Sequence, residues 1–185
     1  MSYAAFDSDL NVAKARRTVK YTDYIYPRFS LTNPLIFRVS ARLDILDSIR
    51  ASDQFDGNIS SRIKWFVGEA NTSLNVVGLY AVEFRVTNSK GSTSVLPLTV
   101  EITEANPNPN QLTLTDYLIY LDRNAEFDPA TYYKGRISYN EFTTEMYNIK
   151  IENNVNTAEP GIYTVNYIYD NGTAVSKTRL VVVVE

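Results

Sequence analysis

The chain has 185 residues, of which 44% are hydrophobic and 21% charged, and its net charge is -3. It contains neither cysteine nor histidine, which excludes disulfides, thiolate nucleophiles, zinc or haem ligation by these residues, and Ser-His-Asp catalysis. We therefore expect no enzymatic activity, no metal and no cofactor. The balanced charge favours neither nucleic acid nor a membrane as the partner. Two domains of about 80 residues fit this length better than a single large domain.

Residues 1–27 precede any clear strand pattern. Their best helical stretch, Ser8 to Lys20, has too few apolar positions for an amphipathic helix, so we predict an extended N-terminal docking arm. We assign seven residues of this arm to partner binding: Lys14, Arg16, Arg17, Lys20, Tyr21, Tyr24 and Tyr26. Cations beside aromatic rings suit docking on an acidic partner surface. A solvated terminus and contact with RNA or DNA are the alternatives.

Residues 28–104 show the period-two alternation of half-buried antiparallel strands. Apolar and polar residues alternate from Leu35 to Leu43, from Tyr80 to Val86 and from Leu96 to Ile102. Between the last two segments, Asn88-Ser89-Lys90-Gly91 is typical of a hairpin turn, because glycine readily adopts a positive φ. This pattern predicts a first strand-rich domain.

Residues 111–185 form a second strand-rich block that repeats the first. Gly161 to Tyr167 matches Gly78 to Phe84 at an offset of 83 residues. Residues 105–110, with two prolines spaced by asparagines, are predicted to be a short, semi-stiff linker that holds the blocks end to end. The second block is also the acidic one, because residues 105–185 carry six cations and ten anions, whereas residues 27–104 carry eight of each.

Two features of the first block could carry chemistry. Asp53, Asp56 and Asn58 are close enough in sequence to offer oxygen ligands to calcium, but such residues also form ordinary turns through local hydrogen bonds, which is the interpretation we favour. Trp65 alternates with Ile63 and Val67 and is therefore predicted to be a core tryptophan. An exposed sugar-stacking platform is the alternative for Trp65.

Three segments together carry a family resemblance. Ile49 to Ile63 contains an acidic Asp-Gly turn before a strand, and Val77 to Phe84 and Val155 to Tyr167 each contain a Gly-x-Tyr strand. In combination they resemble the bacterial immunoglobulin-like (Ig-like) domain family. The second block departs from this pattern upstream, where Phe127-Asp128-Pro129 is followed by no Asp-Gly pair. The resemblance implies an all-β protein with two tandem Ig-like Greek-key β-sandwiches, residues 28–104 and 111–185.

The resemblance also implies structural roles for four residues. In Greek-key sandwiches, a tyrosine at a strand corner packs its ring inward while its hydroxyl bonds a backbone group. Tyr80 and Tyr163 are predicted to be these corner tyrosines. Gly78 and Gly161 are predicted to allow the tight entry of the chain into each strand.

Domains of this family occur in structural proteins of tailed phages and in bacterial surface proteins, which implies a structural role. Met1 to Leu10 lacks the apolar run of a secretory signal, which favours a phage protein. We therefore expect a capsid decoration protein of the virion that binds the shell through its arm or first domain. Its expected partner is the major capsid protein or another virion protein, and copies could also form a homo-oligomer on the particle.

Three other functions are compatible with the same residues. A tail, neck or fibre attachment protein of the virion is the main alternative. A bacterial cell-surface adhesion module is the second. A carbohydrate-active enzyme or binding module is the third, and it would need facing carboxylates in a cleft or an exposed aromatic platform.

Overall fold

The computed structural model of the protein describes residues 2–18, 23–39, 43–68 and 74–185. Within these ranges, regular structure consists of β-strands and three short 3-10 turns, and none of the helical segments is long and apolar enough to cross a membrane. The predicted all-β fold is confirmed. The structure begins with a β-hairpin made of β1 (Ser2–Phe6) and β2 (Val12–Arg16), which replaces the extended arm expected over these residues.

The first module is a sandwich of a three-stranded and a four-stranded sheet. Its strands are β3 (Arg28–Leu31), β4 (Ile36–Arg38), β5 (Ile49–Asp53), β6 (Gly57–Asn58), β7 (Lys64–Val67), β8 (Gly78–Thr87) and β9 (Thr93–Thr103). The sheet orders are β3-β5-β6 and β4-β9-β8-β7, and β4 runs parallel to β9 while the other pairs are antiparallel. The alternation predicted for the two long strands is confirmed, since Val82, Phe84 and Val86 are buried while Arg85 is exposed.

The first predicted strand is shorter than its alternation indicates. β4 ends at Arg38, and Leu35 is buried as the alternation predicts. Ile36 is buried as well, although alternation places it on the opposite face. Ser40 to Arg42 lie outside the described residues. Further along, Asp44 caps a 3-10 turn at Ile45–Ser48 by accepting a hydrogen bond from the Leu46 N–H (3.1 Å).

The second module repeats this architecture. Its strands are β10 (Leu112–Leu114), β11 (Leu118–Leu121), β12 (Tyr133–Ser138), β13 (Glu141–Thr143), β14 (Ile149–Asn153), β15 (Gly161–Asp170) and β16 (Val175–Val184). The sheet orders are β10-β12-β13 and β11-β16-β15-β14, with β11 parallel to β16. Asp128 caps a 3-10 turn at Pro129–Tyr132 in the way that Asp44 does in the first module. The internal repeat therefore extends beyond the segment that the sequence matched.

A Gly-x-Tyr element stands at the same corner of both modules. The Tyr80 hydroxyl donates to the Val76 carbonyl (2.8 Å), and the Tyr163 hydroxyl donates to the Glu159 carbonyl (2.9 Å). A Cβ built on Gly78 would lie 3.7 Å from the Tyr80 ring, and one on Gly161 would lie 3.4 Å from the Tyr163 ring. Each tyrosine thus folds back over its own glycine, and its ring packs against the core of its module.

Trp65 does not lie in the core, and that prediction is wrong. Its side chain is 39% exposed, whereas Ile63, two residues earlier, is buried. Trp65 is the register partner of the buried Phe84, so it is on the core side of the sheet. However, β7 is the outermost strand and pairs with β8 alone. Alternation correctly gave the face of Trp65, but an edge strand leaves part of such a large ring uncovered.

The two modules are packed against each other, contrary to the predicted end-to-end arrangement. Leu118 and Val181 are neighbours on the outer face of the second module, and both join the core cluster of the first. Beside them, Glu101 of β9 accepts hydrogen bonds from Lys177 (3.2 Å) and Arg179 (2.5 Å) of β16. An apolar contact flanked by ion pairs therefore holds the modules in one orientation.

The start of β3 adds a second set of contacts to this interface. The Arg28 guanidinium lies over the Tyr120 ring, 4.5 Å from its centroid, and forms an ion pair with Glu185. The Tyr120 hydroxyl accepts a hydrogen bond from the Phe29 N–H (3.1 Å). The first strand of the first module is thereby attached to β11 and to the C-terminal residue that follows β16.

The connector at residues 105–110 is bonded to the second module and is not a free spacer. The Pro107 carbonyl accepts from the Lys177 N–H (2.7 Å). Asn110 is buried, and both its backbone and side-chain nitrogens donate to the Ser176 hydroxyl (2.9 Å each). These contacts fix the path of the chain between the modules.

Candidate partner-binding arm

The N-terminal hairpin is exposed along its whole length. All ten residues of β1 and β2 are exposed, and none of them belongs to either core cluster. The strands pair from Phe6 with Val12 to Ser2 with Arg16. An isolated two-stranded hairpin is marginally stable in water at best, because it buries little apolar area. Docking on another surface would stabilise it.

A local hydrogen-bond network shapes the hairpin turn. The Asp7 carboxylate accepts from the Asp9 N–H (2.9 Å), the Asn11 N–H (2.8 Å) and the Asn11 side-chain amide (2.9 Å). The hydrogen bonds from Asn11 hold the pKa of Asp7 below its usual value. Leu10 has a positive φ of 62° and an exposed side chain, so the turn presents a large apolar group to solvent.

The strand register shows which of the predicted partner-binding cations lie on the same face of the hairpin. Lys14 and Arg16 share a face with Val12 and with their cross-strand partners, because alternate residues and register partners point to the same side. Phe6, 67% exposed, completes the apolar end of that face. Arg17 follows directly after β2 and is also exposed. One face of the hairpin is thus apolar near the turn and cationic near the base.

Two further arm residues, Lys20 and Tyr21, lie outside the described residues. Tyr26 is described and is 62% exposed, so it remains available to a partner. It stands beside Tyr24, with 5.5 Å between the ring centroids.

Tyr24 is committed to an internal contact, which corrects its assignment as a free partner-binding residue. Its hydroxyl donates to Asp53 Oδ2 (3.0 Å) and accepts from Asn88 Nδ2 (2.7 Å). Its ring stacks on Phe55, with 5.2 Å between centroids. Burial raises the pKa of Tyr24, which keeps the hydroxyl protonated as a donor. Tyr24 therefore anchors the end of the arm to the first module.

The acidic turn of the first module supplies the carboxylate that Tyr24 binds. Asp53 is buried and accepts hydrogen bonds from Tyr24, from Asn88 (3.1 Å) and from the N–H groups of Phe55 (2.9 Å) and Asp56 (3.2 Å). Burial alone would raise the pKa of Asp53, but these hydrogen bonds outweigh it and the pKa is lowered. The carboxylate is therefore ionised at neutral pH and surrounded by donors.

Asp56 joins the same turn to the β8–β9 hairpin. Its carboxylate accepts from the Ser89 hydroxyl (2.6 Å), the Ser89 N–H (2.7 Å) and Arg62 (2.5 Å). These contacts, with those from Ser89 first, lower the pKa of Asp56 to about 2. The oxygens of Asp53 and Asp56 thus face N–H and O–H donors, which agrees with the turn interpretation of this segment.

A groove of about 420 Å³ opens where the arm meets the two modules. Ile25 and Tyr26 of the arm line one side, Val95 lines the first module, and Ile162 lines the second. All four side chains are exposed, between 39% and 62%. The sequence could not reveal this groove, because its walls come from three distant segments that only the packing of the modules brings together.

Comparison with known proteins places this chain beside a phage protein. It is 31% identical over 174 residues to the uncharacterized 81.3 kDa protein of Acholeplasma phage L2, a match that covers 91% of the chain and 22% of the phage protein. The chain thus spans about a fifth of the length of this relative. No family model matches the chain.

Solved structures with a likeness to the chain are β-rich and distant. One contains CBM51-2 in complex with GlcNAc and INT domains from Clostridium perfringens ZmpB, with 18% identity, a TM-score of 0.39 and coverage of 86% of this chain and 42% of that one. Another is the protocadherin GammaB4 extracellular domain, with 11% identity, a TM-score of 0.28 and coverage of 99% and 38%.

Proposed function

We propose that the chain is a non-enzymatic structural protein of a phage virion, built from two Ig-like modules, and that it decorates the outside of the shell. The observation that carries the proposal is the exposed hairpin at the start of the arm, together with the anchoring of the arm's last residues through Tyr24 to the first of two modules that pack against each other. In this arrangement the hairpin is a small docking element and the two packed modules are its rigid support. The phage relative supports a phage origin for this architecture.

The hairpin supplies the docking element through three properties. Its strands have free edges that can extend a partner's sheet. Phe6 and Leu10 offer exposed apolar area for burial. Lys14 and Arg16 would steer the hairpin to an acidic surface, and repetition over a symmetric shell would make weak single contacts effective. The major capsid protein is the partner that this arrangement fits best.

Attachment to a tail, neck or fibre is the second candidate. The observation that favours it is the length of the phage relative, in which the two-module unit occupies 22% of the sequence. A module pair embedded in a longer protein suits an extended appendage, because each added module lengthens it. In that case the same hairpin and interface would join successive parts of the appendage.

Co-sedimentation with purified particles of the phage that encodes the chain tests the docking role. We expect the full chain to sediment with particles that lack it, and a variant without residues 2–16 to stay in solution while its modules remain folded. Lys14→Ala with Arg16→Ala should weaken binding, whereas the matched pair Lys134→Ala with Lys150→Ala, exposed cations of the second module, should not. Undiminished binding of the truncated chain would contradict the proposal.

A further inference from the structure

The outer face of β7 and β8 carries two cations that oppose each other. Lys64 and Arg85 are register partners across this strand pair, and like charges at such positions destabilise a sheet. Arg85 forms an ion pair with Glu83. The Lys64 side chain has no hydrogen bond or ion pair within the described parts of the chain. Glu83 offsets the charge of Arg85, so the Lys64 ammonium is the charge on this face that a bound anion would neutralise.

These cations lie in a shallow groove of about 580 Å³ on the outer sheet face of the first module. The lining residues are Arg62, Lys64, Phe66, Arg85, Thr87 and Thr93. Phe66 is 48% exposed, and the Arg85 guanidinium lies 5.0 Å from the centroid of its ring. The two threonine hydroxyls are hydrogen-bonded to each other at 2.8 Å. The groove therefore combines positive charge, hydroxyl groups and an aromatic ring.

We propose that this groove binds an acidic polysaccharide, a chain of sugars that carries carboxylates. Lys64 and Arg85 would pair with the carboxylates through charge-assisted hydrogen bonds. The Thr87 and Thr93 hydroxyls can donate to and accept from sugar hydroxyls, and the Phe66 ring can cover the apolar face of a sugar. The groove is lined by six side chains, whereas a standard protein interface takes about 20 to 30 residues from each partner, which favours a few sugar units over an acidic protein.

The equivalent face of the second module provides an internal contrast. Lys150 occupies the position of Lys64 but faces Ile168, where the first module has Arg85. Lys150 pairs with Glu152 at 2.8 Å, and Glu152 stands where the first module has Phe66. This face lacks the opposed cations and the ring. The site therefore belongs to the first module, and it is separate from the hairpin of the proposed function.

Calorimetric titration of the full chain with polygalacturonate tests the proposal. The methyl-esterified polymer is the matched probe, because it has the same sugar backbone without the charges. We expect binding to polygalacturonate and weak or no binding to the ester. Lys64→Gln and Arg85→Gln should each lower the affinity by about tenfold, the factor for one lost charge-assisted contact, and Phe66→Ala should lower it as well.

Lys150→Gln is the matched control and should leave the affinity unchanged, with circular dichroism verifying that every variant is folded. Absence of binding to polygalacturonate would overturn the proposal. Equal binding of the esterified polymer, or an equal loss with Lys150→Gln, would also overturn it, because the interaction would not be that of the groove. Tighter binding of poly-glutamate with the same dependence on Lys64 would instead assign the groove to an acidic protein segment.

Discussion

The two modules share a scaffold and differ where the first one holds the arm. Both combine a three-stranded with a four-stranded sheet, and both have an aspartate-capped 3-10 turn and a Gly-x-Tyr corner. The first module places the buried carboxylate of Asp53 below its β5–β6 turn, where Tyr24 and Asn88 reach it. At the matching positions the second module has Ile137 and Asn171, and Asn171 bonds only within its own turn.

This difference separates residues that maintain the sandwich in both modules from residues that are particular to the first module. The caps and corners recur because any sandwich of this type needs them. The acidic turn stands in the module that receives the arm, and the opposed cations Lys64 and Arg85 stand in the same module. The residues that depart from the repeat are therefore the ones on which the anchoring of the arm and the proposed groove depend.

The largest expected effect comes from two single substitutions at matching core positions, each of which introduces the aromatic residue of the other module. Phe84 and Tyr167 occupy these positions and are fully buried, and the Tyr167 hydroxyl donates to the Pro129 carbonyl (2.6 Å). Phe84→Tyr would bury a hydroxyl without this partner and should lower the free energy of unfolding by about 2 to 4 kcal/mol. Tyr167→Phe should cost about 1 to 2 kcal/mol. Urea unfolding measures both, and equal costs would show that the two cores are interchangeable.

The corner tyrosines should respond alike, because their geometry is the same in both modules. Tyr80→Phe and Tyr163→Phe each remove one hydroxyl that bonds a carbonyl, and each should lower the free energy of unfolding by about 1 kcal/mol. Chemical denaturation of the two single variants checks this. A clear loss in one module with none in the other would contradict an equivalent role.

Tyr24→Phe should release the arm with a small loss of stability. It removes the hydrogen bonds to Asp53 and Asn88, so limited proteolysis should cleave the arm faster while the modules stay folded. Tyr26→Phe is the matched control and should cleave at the wild-type rate, because the Tyr26 ring is exposed. Identical cleavage of both variants would show that Tyr24 does not anchor the arm.

The smallest expected effect is an acid-dependent loosening of the first module. The pKa of Asp56 falls from its usual 3.8 to about 2 in the folded chain, so its contribution is present above pH 4 and is lost as the pH falls towards 2. Asp56→Asn should flatten the change in melting temperature over this window. An unchanged acid profile in the variant would show that Ser89 and Arg62 do not stabilise the ionised carboxylate.

Much of the scaffold could be predicted from the sequence, because period-two alternation and the repeated Gly-x-Tyr segment are local signals. The hairpin at residues 2–16 was missed, since its short strands bury nothing and show no alternation of exposure. The exposure of Trp65 and the anchoring of Tyr24 were also missed. Both depend on the tertiary structure. Trp65 is exposed because β7 is an edge strand, and Tyr24 is anchored by the carboxylate of Asp53, 29 residues away.

Quantitative mass spectrometry of purified particles tests the central claim most directly. The copy number of this chain is compared with that of the major shell protein in particles of the phage that encodes it. A copy number close to that of the shell protein is the predicted result, because a decoration protein repeats with the shell. A handful of copies would instead assign the chain to a neck, tail or fibre, and its absence from the particles would contradict a virion role.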